Sequence, residues 1–78
     1  MPTFPPKHED KRRLSPRQEQ VVQLIARGLP NKLIAHQLGI SIGTVRQYVY
    51  SAFNVLGLRN RTAVAMWWRE KQESAHGS

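Results

Sequence analysis

Residues 30–50, PNKLIAHQLGISIGTVRQYVY, constrain the fold of this chain more tightly than any other stretch. Two short amphipathic runs meet there at Gly39-Ile40-Ser41, and each junction residue suits a different requirement of a sharp turn between helices. Gly39 stands where the chain must leave the first helix through a left-handed conformation, which costs residues other than Gly roughly 1–2 kcal/mol. Ile40 follows as an apolar plug, and Ser41 offers a side-chain oxygen to cap the next helix. Ala35 is small where the two helices would cross closely, and Val45, four residues past Ser41, faces back onto the first helix. A generic helix pair needs apolar spacing but not this ordered set. The phasing therefore predicts a helix-turn-helix, an arrangement that usually presents its second helix to DNA.

The flanking sequence supplies further helices. Ser15-Pro16-Arg17-Gln18 places a capping hydroxyl, a first-turn proline and a Gln at the third helical position. That capping box predicts a helix over 16 to about 27, with Val21, Val22, Leu24, Ile25 and Ala26 on one broad face and Gly28 as its stop. Asn31 either caps or enters a second, short helix that turns Ile34, Ala35 and Leu38 inward and ends at Gly39. A third is expected from Ile42 to about Val55, burying Val45, Val49, Ala52 and Leu56, with Gly57 as its C-terminal stop. Arg59-Asn60-Arg61-Thr62 leads into a fourth over 62 to about 71. The expected fold is all-α, a four-helix bundle around a central helix-turn-helix, spanning residues 14–72. Residues 1–13, MPTFPPKHEDKRR, carry three prolines, mixed charge and no apolar periodicity, and read as a flexible linker or tail. Residues 73–78 read as a disordered tail.

Charge narrows the partner. The net charge is +7, and after Glu19 no acidic residue occurs until Glu70, while Arg27, Lys32, Arg46, Arg59, Arg61 and Arg69 lie between. Cations without interleaved acids favour a polyanion. A 78-residue chain leaves little room for a catalytic cleft, and no nucleophile, base and orienting group can be assembled from it, so an enzyme is not expected. The absence of Cys removes thiolate sites and disulfides, and His8, His36 and His76 are too far apart in sequence for local ligand spacing. Neither a metal nor a cofactor is expected. No apolar run approaches the roughly 20 residues of a membrane span, and no signal-peptide core is present, so the expected location is cytoplasmic, without membrane contact.

If Val45 and Val49 face the core, the opposite stripe of the third helix carries Gly43, Arg46, Gln47, Tyr50 and Asn54. Arg46 can pair with guanine's two major-groove acceptors or with a phosphate, and Gln47 can pair with adenine, which makes these two the expected base readers. Tyr50 and Asn54 suit phosphate or sugar contact, and Thr44 can either reach a phosphate or bond within its own first turn. Asn31 and Lys32 at the start of the second helix, and Arg61 at the start of the fourth, are expected to grip the DNA backbone. Arg59 reads as a solvated charge. The fourth helix presents Val64, Ala65, Met66, Trp67 and Trp68 in succession, more apolar surface than one core face absorbs. Val64, Ala65 and Trp68 form an inward stripe, leaving Ala63 and an exposed Trp67 as an expected dimerisation patch; the alternative is that both Trp residues are core packing.

With these residues in register, the chain resembles the LuxR-type DNA-binding domain, the effector module of many bacterial response regulators and quorum-sensing activators. The resemblance covers roughly residues 14–68. It rests on Leu14-Ser15-Pro16-Arg17-Gln18-Glu19, Gly28-Leu29-Pro30-Asn31-Lys32, Ile34-Ala35, Leu38, Ile40-Ser41, Thr44-Val45-Arg46, Leu56-Gly57-Leu58 and Asn60-Arg61. It implies a recognition helix over about 42–55, transcription regulation, and homodimers formed through the fourth helix on inverted-repeat promoter sites in double-stranded DNA. Leu33, Tyr48 and Val55 depart from the pattern, standing where Glu, His and Lys are usual. The Val55 change removes a phosphate contact, and Tyr48 keeps an aromatic filler near the turn. The competing reading is a protein-interaction module of the same fold that binds a regulator or RNA polymerase through the fourth helix without reading DNA.

Overall fold

The helix that opens the folded part begins as its capping box dictates. Ser15 Oγ accepts from the Gln18 backbone N–H at 3.2 Å, and the Gln18 carboxamide oxygen accepts from the Ser15 backbone N–H at 2.7 Å. The computed structural model describes residues 13–77 and arranges them as α1 (Pro16–Ala26), α2 (Asn31–Leu38), α3 (Ile42–Leu56) and α4 (Arg61–Gly77). Nearly all of the expected N-terminal linker, residues 1–12, lies outside the described residues, as does Ser78. Helix α1 closes one residue before the expected end, because Arg27 serves as its C-cap and shares its N–H between the Gln23 and Leu24 carbonyls. Asn31 enters α2 as its first residue and does not cap it; the cap position is Pro30.

Each of α1, α2 and α3 ends in the same closure. The Leu29, Ile40 and Leu58 N–H groups reach back to the Leu24, Ala35 and Phe53 carbonyls at 3.1, 3.0 and 3.1 Å, respectively. In each case a Gly immediately before the donor turns the chain, as Gly39 does at φ +69°. Ser41 then caps α3 by accepting from the Thr44 N–H at 3.0 Å. The predicted turn is present residue for residue.

The buried core is built from Val21, Val22, Leu24 and Ile25 of α1, Ile34 and Ala35 of α2, Val45, Val49, Ala52 and Leu56 of α3, and Val64 of α4. Fully burying an aliphatic side chain of this size contributes about 1.5–3 kcal/mol, so this cluster dominates stability. Leu38 is only half-buried, on the rim of the cluster with Ile40, Tyr48, Val55 and Leu58. Helices α3 and α4 both pack along α1, and α2 packs chiefly on α3.

Helix α4 differs most from expectation. It begins at Arg61, where Asn60 caps it by accepting from the Ala63 N–H at 2.7 Å, and it runs to Gly77 instead of stopping near Lys71. Residues 73–77, read from sequence as a tail, thus continue α4. The sequence WREKQESAH contains good helix formers and neither Gly nor Pro, so a helix nucleated on the core propagates without a stop signal until Gly77.

One polar contact ties α3 to the start of α1. The Gln18 Nε2 donates to Ser51 Oγ at 2.7 Å, and that hydroxyl donates onward to the Tyr48 carbonyl at 3.1 Å. The Gln18 side chain thus completes the cap of α1 with one end and holds α3 with the other. Gln18→Ala and Ser51→Ala should each cost about 0.5–1.5 kcal/mol in urea unfolding, and the double variant should cost less than their sum. The glycines give a second check. Gly39→Ala forces a side chain into the left-handed region and should lower stability by about 1 kcal/mol, or roughly 4–8 °C in Tm. Gly43→Ala adds a Cβ whose nearest neighbour is Ser41 Oγ at 3.8 Å, and should raise stability by about 0.4–1 kcal/mol.

Candidate nucleic-acid interface

The orientation of α3 follows from what it buries. Val45 is 0% and Val49 8% exposed, so the face a half-turn away is committed to solvent. Gly43, Arg46, Gln47, Tyr50 and Asn54 are all exposed there. Arg46 and Gln47 engage no side-chain partner among the described residues, so their donors and acceptors are available to a ligand. Tyr50 is 67% exposed, and its ring is held edge-on against Phe53 with centroids 6.5 Å apart and planes at 89°. Thr44 is half-buried and accepts from Ser41 Oγ at 2.9 Å, which leaves its own hydroxyl proton free to point outward.

The expected backbone-gripping residues divide into two kinds. Lys32 is exposed in the first turn of α2, on a helix with no acidic residue in that turn. Asn31 and Arg61 are bonded to each other: Arg61 Nη1 donates to Asn31 Oδ1 at 2.7 Å, and Nη2 donates to the Leu29 carbonyl at 2.6 Å. Burial pushes the Arg61 pKa down from its ordinary value, since desolvation disfavours the charged form. Arg69 is exposed and donates a long 3.4 Å bond to the Ala26 carbonyl at the C-terminal end of α1, where a cation complements the helix dipole. Arg27 and Arg59 remain exposed.

On α4, Trp68 packs inward as expected, and Trp67 follows the alternative of core packing. Trp67 and Trp68 are both half-buried against the core, with centroids 6.4 Å apart, and Lys71 Nζ lies 5.0 Å from the Trp67 ring centroid. Trp67 is therefore not the exposed anchor that its neighbours in sequence implied. The exposed large apolar side chain is Met66, at 54%, and it lies three residues from Ala63 on the same helical face. Ala63 itself is half-buried. The helical spacing from Ala63 to Met66 carried that signal. The Gln18–Ser51 tether carried none, because a contact spanning 33 residues leaves no local pattern.

The departures from the family pattern also have places. Val55 and Tyr48 are partly buried and pack against the core, while Leu33 is 50% exposed on α2. Among the described residues no group of His, Asp or Glu could hold a metal ion, and no helix is long and apolar enough to cross a membrane.

Comparison with known proteins agrees with this architecture. Residues 12–68 match the family described as "Bacterial regulatory proteins, luxR family". The chain is 36% identical over 63 residues to the nitrate/nitrite response regulator protein NarL of Escherichia coli, which covers 81% of this chain and 29% of that protein. It is 43% identical over 54 residues to the two-component response regulator PprB of Pseudomonas aeruginosa, covering 69% of this chain and 20% of that protein. The transcriptional regulatory protein YdfI of Bacillus subtilis matches at 38% over 56 residues, 72% of this chain and 26% of that one. The chain thus spans less than a third of the length of these relatives. A match over most of the folded region, on a helix-turn-helix whose outward face is polar and unpartnered, places this chain in the luxR family of bacterial regulatory proteins.

Proposed function

We propose that this chain is the sequence-specific DNA-reading unit of a bacterial transcription regulator, either an effector domain or a small stand-alone regulator. The observation that carries the reading is the pairing on α3 of a sealed face, Val45 and Val49, with an exposed face whose Arg46 and Gln47 side chains are uncommitted. LuxR-type helix-turn-helix domains bind DNA, and the relatives are named as response regulators and a transcriptional regulator. Helix α3, with 15 residues, is about 22 Å long, well beyond the roughly 12 Å width of the major groove. Its N-terminal turns enter the groove and its C-terminal half crosses the flanking backbone.

Arg46 and Gln47 read base edges, while Lys32, Thr44, Tyr50 and Asn54 position the phosphates. Gly43, with no side chain, lets the start of α3 come close to the duplex. Two copies bind an inverted repeat in promoter DNA through α4, where Met66 joins Ala63 and the outer part of Trp67 in the contact. Contact with RNA polymerase would follow from that placement. The rival interaction-module reading draws on the same α4 surface, and sedimentation with and without duplex separates the two.

Titration of a labelled promoter duplex over a salt series tests the reading. Affinity should fall linearly on logarithmic axes, each phosphate contact contributing about 0.9 to the slope. Arg46→Ala should cost about 1–3 kcal/mol and relax base preference at one position of the site. Lys32→Ala should weaken binding to all duplexes alike and reduce the slope by about one. Binding that ignores salt, or that survives Arg46→Ala undiminished, would remove the mechanism.

A further inference from the structure

The Arg61 guanidinium occupies an electrostatically poor position. It sits at the first residue of α4, where the helix dipole disfavours a cation, and it is partly desolvated. What it gains there is the pair of short bonds to Asn31 Oδ1 and the Leu29 carbonyl, acceptors on either side of Pro30. Helix α2 has particular need of such a hold. It has eight residues, far below the length at which a helix is stable by itself, and no side chain caps its N-terminus. It packs chiefly on α3, whereas α4 packs along α1, so side-by-side helix packing does little to join the start of α2 to α4.

We propose that Arg61 is a positioning residue: a clamp from α4 that fixes the N-terminal turn of α2 and orients the Asn31 carboxamide for the DNA backbone. With its oxygen held by the guanidinium, the Asn31 side chain turns its NH2 group away from Arg61, where it can donate to a phosphate oxygen. Arg61 thus contributes to DNA affinity without touching the duplex. The planar fork is essential, since two acceptors in fixed positions match two guanidinium nitrogens and not a single ammonium. The DNA part of this inference rests on the DNA-reading function proposed above; the clamp itself does not.

The test uses the 78-residue chain, its Arg61→Lys, Arg61→Gln and Asn31→Ala variants and the Arg61→Gln/Asn31→Ala pair, at a temperature where all are folded by circular dichroism. The probe is a duplex selected by the wild-type chain from a random-sequence pool. Arg61→Lys and Arg61→Gln should both weaken binding by roughly tenfold, with the salt slope unchanged. The double variant should lose less than the product of the single losses. Amide hydrogen exchange should quicken in α2 in both Arg61 variants while α1 and α4 stay protected. Near-wild-type affinity in Arg61→Lys, with a slope reduced by about 0.9 in Arg61→Gln, would make Arg61 a phosphate contact and overturn the clamp. Unaltered affinity in every folded variant would overturn it as well. If the wild-type chain binds no duplex, the DNA-reading function fails, and the exchange pattern alone decides whether Arg61 holds α2.

Discussion

The burial of Val45 and Val49 is the constraint on which the rest of the molecule depends. These β-branched side chains have one apolar place to go, the seam where α3 meets α1 and α2. Once they are seated, the rotation of α3 about its axis is set, and with it every side chain on the far side. The polar stripe from Gly43 to Asn54 is the geometric complement of the core. A charge introduced at Val45 or Val49 would therefore change the outward face as well as stability, because the helix would have to roll to keep it solvated.

Polar contacts refine what apolar packing begins. Gln18 holds α3 through Ser51, Arg61 holds the start of α2, and Arg69 leans on the last carbonyls of α1. Two of the cations in the long acid-free stretch thus bond the protein's own backbone carbonyls, but only Arg61 is drawn out of the solvent-facing set. The exposed cations of that stretch are Arg27, Lys32, Arg46, Arg59 and Arg69.

Legibility of this structure in the sequence follows interaction range. The capping box at Ser15, the closures after α1, α2 and α3, and the Ser41 cap each involve residues within six of one another, and each was readable. The buried stripes of α1 and α3 were readable for the same reason, since their periods repeat locally. The end of α4 was not, because the segment after Trp68 is polar and its helicity depends on propensity and on a start fixed elsewhere. Whether Trp67 is exposed or packed stays open between two readings of the sequence, because one-dimensional spacing cannot say how far a large ring leans back over a small domain's core. The Arg61–Asn31 pairing joins residues 30 apart, so each looked like an isolated polar group awaiting a ligand. The roles proposed for Arg46, Gln47 and their neighbours rest on their chemistry, read from the sequence, and on their exposure, which the structure adds.

The repeated closure at the ends of α1, α2 and α3 also bears on how quickly the fold is found. Each chain reversal is settled by hydrogen bonds among neighbours, so little loop-closure entropy must be lost before the helices are pointed correctly. The search reduces to docking a few nearly pre-aimed rods, the regime in which helical domains fold in microseconds to milliseconds. After any unfolding event, such local reversals let the unit recover its fold quickly, because each return has little loop-closure entropy to lose.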